Sequence, residues 1–212
     1  ISMRTIHFVI FGLTVLNPVL NPSFAAQERC DFRLDPASVK VNWTAFKTTE
    51  KLAVSGTVKE VAVQSVQKAK SLKELIEKTT GKGKFDAESK SDSGNPARDT
   101  TVYQKFFSLL LNQGEFKGSF VKLSGSNTEG KVGLQLSVNG KKALIPMDYK
   151  LSPEGHFEAS GSFDMMNMGM QKAHESIHTA CEKLHQGKDG ISKTWTEVGV
   201  KVSAMIQKDC HS

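Results

Sequence analysis

The chain has 212 residues, of which 28 are basic and 22 acidic, and it carries a net charge of +6 at neutral pH. Its lysines are interspersed with acids instead of forming one block, so the charge predicts a solvated surface and argues against a nucleic-acid partner. The sequence contains no nucleophile elbow, metalloprotease helix or phosphate-binding loop, and we therefore expect a protein that is not an enzyme.

The N-terminal segment has the pattern of a secretory signal. Ile1 and Ser2 precede a methionine and are interpreted as a cloning or reading-frame remnant. Arg4 supplies positive charge, residues 8–20 form an apolar run, and small residues lead to a predicted cleavage after Ala25. The run is too short and too interrupted for a transmembrane segment.

The remaining chain is long enough for one domain with a sizeable core. We therefore predict a signal peptide with its remnant over residues 1–25, a single domain over residues 26–212, and a periplasmic or secreted location. In an exported chain the three cysteines allow one disulfide. Cys181–Cys210 is the favoured pair, since it would join the last strand to the helix before it. A Cys30–Cys210 bridge, which would join the two ends of the chain, stays open.

Alternating apolar residues predict about eight strands. Three come early, over residues 39–45, 52–58 and 61–63, and their short connections predict a meander. Four more lie between Phe116 and Phe163, and the last runs from Trp195 to Ile206.

Helices interrupt this pattern in three places. Ser71 and Glu74 have the spacing of a capping box, and Asn95-Pro96 is typical of a helix N-cap followed by proline. A third helix is expected from Gln171 to His185.

The strongest local signal is Asn139-Gly140, which lies between two alternating runs. Both central residues of a type I′ turn need a positive φ, which Asn and Gly adopt most readily. With this turn Leu136 faces Ala143 and Leu134 faces Ile145, the same register that the apolar pattern requires. We therefore predict an antiparallel hairpin here.

Eight strands that each have one apolar face must enclose a common interior, either as a closed barrel or as two packed sheets. The inward rows also contain small residues, which could leave a cavity or could mark bends of the strands. These residues are Gly56, Gly118, Ala143, Ala159 and Gly161.

Several motifs resemble those of the YceI-like periplasmic lipid-binding proteins. They are Arg98-Asp99 before a helix, Phe106-Phe107 after it, Gly140-Lys141-Lys142 with Pro146, and the closing segment SKTWTEVGVKV. The resemblance implies a mainly β fold, an extended antiparallel eight-stranded lipocalin-like β-barrel with two or three helical insertions. It also implies a polyisoprenoid or other lipid as ligand, with no further cofactor, and leaves a homodimer possible.

Candidate cavity residues are those on the predicted inward faces, together with Phe106 and a potential head-group contact, Arg98. For each apolar residue, ordinary core packing is the alternative. The set is Trp43, Phe106, Phe116, Phe120, Leu134, Leu136, Met147, Tyr149, Phe157, Phe163 and Arg98.

A metal or haem site is the alternative function. His174, His178, Cys181 and His185 fall on one stripe of the third predicted helix. Eleven residues of helix span about 16 Å, so the four cannot surround one ion. His174 and His178 could supply two ligands, and a polar flank of an amphipathic helix is the competing interpretation.

Overall fold

In the described part of the chain, nine antiparallel strands form one sheet, in the order β2-β1-β9-β8-β7-β6-β5-β4-β3. The computed structural model describes residues 29–85 and 91–211, so the predicted signal peptide lies outside the described residues. The strands are β1 (Arg29–Lys47), β2 (Leu52–Thr57), β3 (Val61–Gln64), β4 (Thr80–Gly83), β5 (Phe116–Gly125), β6 (Glu129–Val138), β7 (Lys141–Leu151), β8 (His156–Asp164) and β9 (Thr194–His211).

The sheet curls into a half-barrel, which confirms the predicted mainly β, lipocalin-like class. The strand at the other edge of the sheet, β3, comes back into contact with β1. Val58, just after β2, extends the β1–β2 pairing by donating its N–H to Val41 O at 2.8 Å. Two details differ from the prediction. The strand count is nine, because Thr80–Gly83 forms β4, and β3 pairs with β4 instead of continuing a meander from β2.

The central hairpin is confirmed in its register. Leu136 pairs with Ala143 and Leu134 with Ile145. Asn139 and Gly140 have φ values of 52° and 70°. Positive φ at both positions is what a type I′ turn requires, so the turn and the buried face select one pairing together.

Among the described residues, three α-helices pack against the sheet: α1 (Leu72–Glu77), α2 (Pro96–Lys105) and α3 (Gln171–Ala180). Ser71 caps α1 by accepting the Glu74 N–H at 3.1 Å, and Asn95 caps α2 by accepting the Arg98 N–H at 3.0 Å. The third helix ends at Ala180, earlier than predicted, and a 3₁₀ turn continues to His185. In the two described ranges, no helix combines the length and apolar character needed to cross a membrane.

The interior has two apolar clusters. One surrounds α1, where Leu72 and Leu75 have no exposed surface and belong to the same cluster as Phe157 and Tyr149. The other lies under α2 and α3 and includes Phe116 and the residues of the methionine-rich connection after β8. Helix α1 therefore closes one end of the half-barrel, and α2 and α3 pack near the other.

The disulfide joins Cys30 to Cys210, so the predicted Cys181–Cys210 pair is wrong. Cys30 and Cys210 are directly opposite each other in the β1–β9 ladder, with their Cα atoms 4.0 Å apart. Cys181, which follows α3, is a buried free thiol and lines the same cavity as Thr194, the first residue of β9. Sixteen residues of extended strand separate Thr194 from Cys210, a span of about 50 Å.

Candidate ligand-binding cavity

The apolar face of the sheet encloses a cavity of about 570 Å³. Its central wall comes from the adjacent strands β1 and β9, where Trp43 lies opposite Val200 and Val41 opposite Val202. Phe163 of β8 continues this surface beside Val198. Among the described lining residues there is no aspartate or glutamate. The cavity has the size and the apolar wall of small-molecule sites in proteins.

Eight of the eleven candidate residues lie along the cavity wall. Phe106 lies just after α2, Arg98 is on its first turn, and the other six come from the sheet. The eight are Trp43, Arg98, Phe106, Phe116, Phe120, Leu134, Leu136 and Phe163. This places them within reach of a bound molecule, and their contact with a ligand stays a prediction.

The structure does not bring Met147, Tyr149 and Phe157 to the cavity. All three are at most 2% exposed and pack in the cluster around α1. They share the inward face of the sheet with the lining residues, but they lie farther along β7 and β8, toward the closed end. The Tyr149 hydroxyl donates to Ser126 O at 2.5 Å, and burial raises the pKa of the phenol.

Sequence reasoning missed part of the wall. Val198, Val200 and Val202 of β9 line the cavity, and their alternation in the sequence could have placed them in the candidate set. Ile177 and Leu184 also line the cavity, from α3 and the turn that follows it. Only the packing of α3 over the sheet reveals them.

Of the small inward residues, Gly56 makes room for an aromatic ring. Trp43 pairs with Gly56 across β1 and β2, and its indole lies directly over the glycine. A Cβ atom at Gly56 would be 2.5 Å from Trp43 Cζ2. The buried Nε1 of Trp43 has no hydrogen-bond partner within the described part of the chain. The cavity wall therefore holds one unsatisfied donor beside a close glycine–indole contact.

The cavity wall contains three basic side chains, Lys47, Arg98 and His185. The Arg98 side chain is exposed at the rim, and its guanidinium forms no ion pair with the described residues. Lys47 Nζ donates to Leu184 O at 3.3 Å. With no carboxylate in the same described wall, the electrostatics favour an anionic group at the rim.

The histidines of the third helix converge on one residue. His174 Nε2 lies 3.0 Å from Thr194 O, while His178 Nδ1 and His185 Nδ1 lie 3.0 and 2.6 Å from Thr194 Oγ1. Burial, with Lys47 and His178 nearby, lowers the pKa of His185 to about 4. Burial also raises the pKa of the Cys181 thiol.

This arrangement does not form the metal site considered above. Each of the three rings directs one nitrogen to Thr194, and the rings of His174 and His178 stack with centroids 6.3 Å apart. Across residues 29–85 and 91–211, no three histidine, cysteine, aspartate or glutamate side chains are grouped so that they could hold a metal ion.

Comparison with known proteins gives a fold relationship. No protein-family profile matches the chain, and no curated protein sequence matches it. Among solved structures, nine chains match. One is a polyisoprenoid-binding domain from Saccharophagus degradans implicated in plant cell wall breakdown, with a TM-score of 0.55 and 11% identity over 84% of this chain and 98% of that one. At this identity the likeness concerns architecture: the chain has the fold of a domain that binds polyisoprenoids.

Proposed function

We propose that this protein binds a long-chain amphiphile, a polyisoprenoid or similar lipid, in the cavity and carries it in the periplasm or outside the cell. The observation that supports this most directly is the apolar cavity of about 570 Å³, whose described wall contains no carboxylate. The fold it shares with a polyisoprenoid-binding domain and the YceI-like motifs favour the same ligand class. This role is binding, without catalysis.

The cavity volume sets the length of chain that can be buried. A methylene takes up about as much space as a water molecule in the liquid, ~30 Å³, so a cavity of about 570 Å³ accepts about 19 chain carbons. That is close to four isoprene units. Each buried methylene contributes about 0.8 kcal/mol, or roughly a fourfold gain in affinity before ordering costs.

A chain-length series tests this directly. We expect the dissociation constants of prenols with 10, 15 and 20 carbons to fall steeply, and those of longer prenols to level off because the extra units stay in water. Leu136→Trp, which fills the cavity, should weaken binding of the 20-carbon prenol at least tenfold. Leu144→Trp is the matched control, since Leu144 is 52% exposed on the adjacent strand and does not line the cavity.

Two results contradict the proposal: equal binding by both tryptophan variants, or no binding of any prenol. Mass spectrometry of the organic extract from protein purified from its own exported compartment identifies the natural cargo. A dominant long-chain amphiphile at near-equal molar amount is the expected finding.

The rim favours an anionic head group. Arg98 is exposed there and free of ion pairs with the described residues, so its guanidinium can bind a phosphate. We expect Arg98→Gln to weaken binding of a 20-carbon prenyl phosphate about fivefold, equivalent to ~1 kcal/mol for an exposed ionic contact, and to leave the uncharged prenol unaffected. An equal effect on both ligands argues against this head-group role.

A further inference from the structure

Residues 177–185 lie over the cavity and are held to the sheet by few apolar contacts. Ile177, Cys181, Leu184 and His185 contribute to the cavity wall from this segment, named here the cover. Cys181 is its only buried residue, and Leu184 is 71% exposed. Because little apolar surface anchors the cover, the polar contacts to Thr194 carry much of its attachment.

We propose that the cover is a pH-sensitive gate: positive charge gained by the imidazoles that contact the Thr194 hydroxyl releases residues 177–185 from β9 and opens the cavity. The proposal rests on the proposed function, because a gate matters only if the cavity takes up a ligand. It assigns a role to Thr194 and to the two imidazoles that contact its hydroxyl, His178 and His185, which lipid binding by itself does not require.

Proton counting at Thr194 explains the sensitivity. The hydroxyl has one proton to donate and two lone pairs to accept with. With His178 and His185 neutral, Oγ1 donates to one Nδ1 and accepts an N–H from the other, so both short contacts are hydrogen bonds. When both rings are protonated, both Nδ1 atoms donate to Oγ1, so two positive charges share one hydroxyl whose own proton then needs another acceptor.

The same geometry brings positive charges together. Both Nδ1 atoms contact one oxygen, so they lie within about 5.6 Å of each other. At that distance like charges disfavour the protonated pair. Lys47 of β1 adds a third positive charge, donating to Leu184 O within the cover.

No carboxylate among the described residues forms an ion pair with these groups. In the part of the chain that the structure describes, none of the three histidines forms an ion pair. Glu50, on the turn after β1, accepts the backbone N–H of Lys188 at 2.9 Å. Glu182 follows Cys181 and is exposed, and Lys183 next to it is basic. His174 donates to Thr194 O, a contact that survives protonation because the carbonyl only accepts.

The pH window follows from the His185 imidazole. Its pKa is about 4 in the folded protein and 6.5 ordinarily. An open cover therefore binds protons more readily than a closed one between these values, so closure is complete above about pH 6.5 and weakens as the pH falls toward 4. With these two pKa values, opening is favoured about 20-fold more at pH 5 than at pH 7.

Both ends of the cover stay attached, which makes it a hinged element. On the N-terminal side Ala173 and Met170 are buried in the cluster under α3. On the C-terminal side His185 O accepts the Lys193 N–H at 3.1 Å, and Lys193 O accepts the Thr48 N–H at 2.9 Å. Loss of the imidazole contacts would therefore move the middle of the segment and leave the sheet intact.

Cys181 provides a readout that needs no ligand, since it lies within the cover as a free buried thiol. The intact protein is treated with 4,4′-dithiodipyridine from pH 7 to pH 5, and each rate is divided by that of glutathione at the same pH. We expect the protection of Cys181 to fall at least tenfold over this range. His178→Gln/His185→Gln should show a profile flat within twofold, and His156→Gln, which changes an exposed histidine of β8, should behave as the unmodified protein.

A second pair of variants tests the gate even if the double variant does not fold. Thr194→Ser keeps the hydroxyl and should retain the profile, whereas Thr194→Val removes it and should lower protection several-fold already at pH 7. The gate is overturned if the unmodified protein protects Cys181 equally at pH 7 and pH 5. A wild-type profile in the double variant, or in Thr194→Val, overturns it as well.

Release of N-phenyl-1-naphthylamine, an uncharged apolar fluorophore, separates the two proposals. We expect its dissociation rate, measured by stopped flow, to rise about tenfold from pH 7 to pH 5. If the fluorophore binds at neither pH while Cys181 protection still responds to acid, the proposed function fails and the gate stands. If the fluorophore binds, but neither its release nor the protection of Cys181 changes with pH, the proposed gate fails and the proposed function stands.

Discussion

Replacing Gly56 by alanine tests how the cavity wall is built. The added Cβ would lie 2.5 Å from Trp43 Cζ2 and 2.9 Å from Nε1, so the indole must retreat by about 0.9 Å to reach ordinary contact at 3.4 Å. Trp43 is the direct cross-strand partner of Gly56 and lines the cavity. The retreat therefore moves the ring inward. Overpacking of this kind costs about 1–3 kcal/mol.

Gly81→Ala is the matched control. Gly81 also lies on a strand and lines the cavity, but its added Cβ would be 3.5 Å from Val61 Cγ1, an ordinary contact. Alanine there should be neutral or stabilising by ~0.5 kcal/mol, because it reduces the freedom of the unfolded chain. Both variants are compared by urea unfolding and by titration with a 20-carbon prenol.

We expect Gly56→Ala to lower the urea midpoint and weaken prenol binding, and Gly81→Ala to do neither. Equal midpoints and equal affinities for the two variants would refute the reasoning, because they would mean that Trp43 does not depend on the missing side chain. A lower midpoint with unchanged affinity would show that the indole moves without entering the ligand space.

Three further outcomes follow from the fold. Cys210→Ser opens a crosslink between residues 180 positions apart, which by the chain-entropy estimate removes about 5 kcal/mol of stability and should lower the thermal midpoint to that of the reduced protein. Lys68 and Lys70 hold the pKa of the Asp31 carboxyl at about 2, below its ordinary 3.8. The unfolded chain therefore binds a proton at Asp31 at a higher pH than the folded protein does, and this stabilisation is lost as the pH falls from about 4 to 2. Acid titration of Asp31→Asn should not show this loss. Phe157→Ala, at a core position that is 1% exposed, should lower the free energy of unfolding measured in urea by about 3–5 kcal/mol. Phe163→Ala, at the cavity wall, should lower it by less. Equal losses would contradict the separation of core from cavity.

The sequence was most informative where two local requirements coincide. At Asn139-Gly140 the turn chemistry and the alternating apolar rows each require the same register, and the structure has that register. Ser71 and Asn95 are similar, because a capping side chain acts on an N–H only three residues away. Turns and helix caps, which involve residues only a few positions apart, depend little on the rest of the fold.

Features that depend on distant pairing were not predictable in the same way. The segment Thr80–Gly83 contains two glycines and no apolar alternation, and it becomes a strand because β3 and β5 flank it. Cys30 and Cys210 pair because the first and last described strands are neighbours, which no local pattern indicates. The position of an inward residue along the half-barrel, near the cavity or near the closed end, also depends on the whole fold. Tyr149 was therefore assigned to the cavity, although it lies in the buried core around α1.

The pairing of β1 with β9 also affects how the protein must fold. These are the two longest strands, with 19 and 18 residues, and they come from opposite ends of the described chain. Contacts so distant in sequence form slowly, since a large loop must close before they stabilise anything. Until β9 is in place, β1 and β8 have unpaired edges and the valine wall of the cavity is incomplete. A chain in which β9 has not yet paired therefore exposes two strand edges, which favours aggregation, and the same pairing step completes both the sheet and the cavity wall.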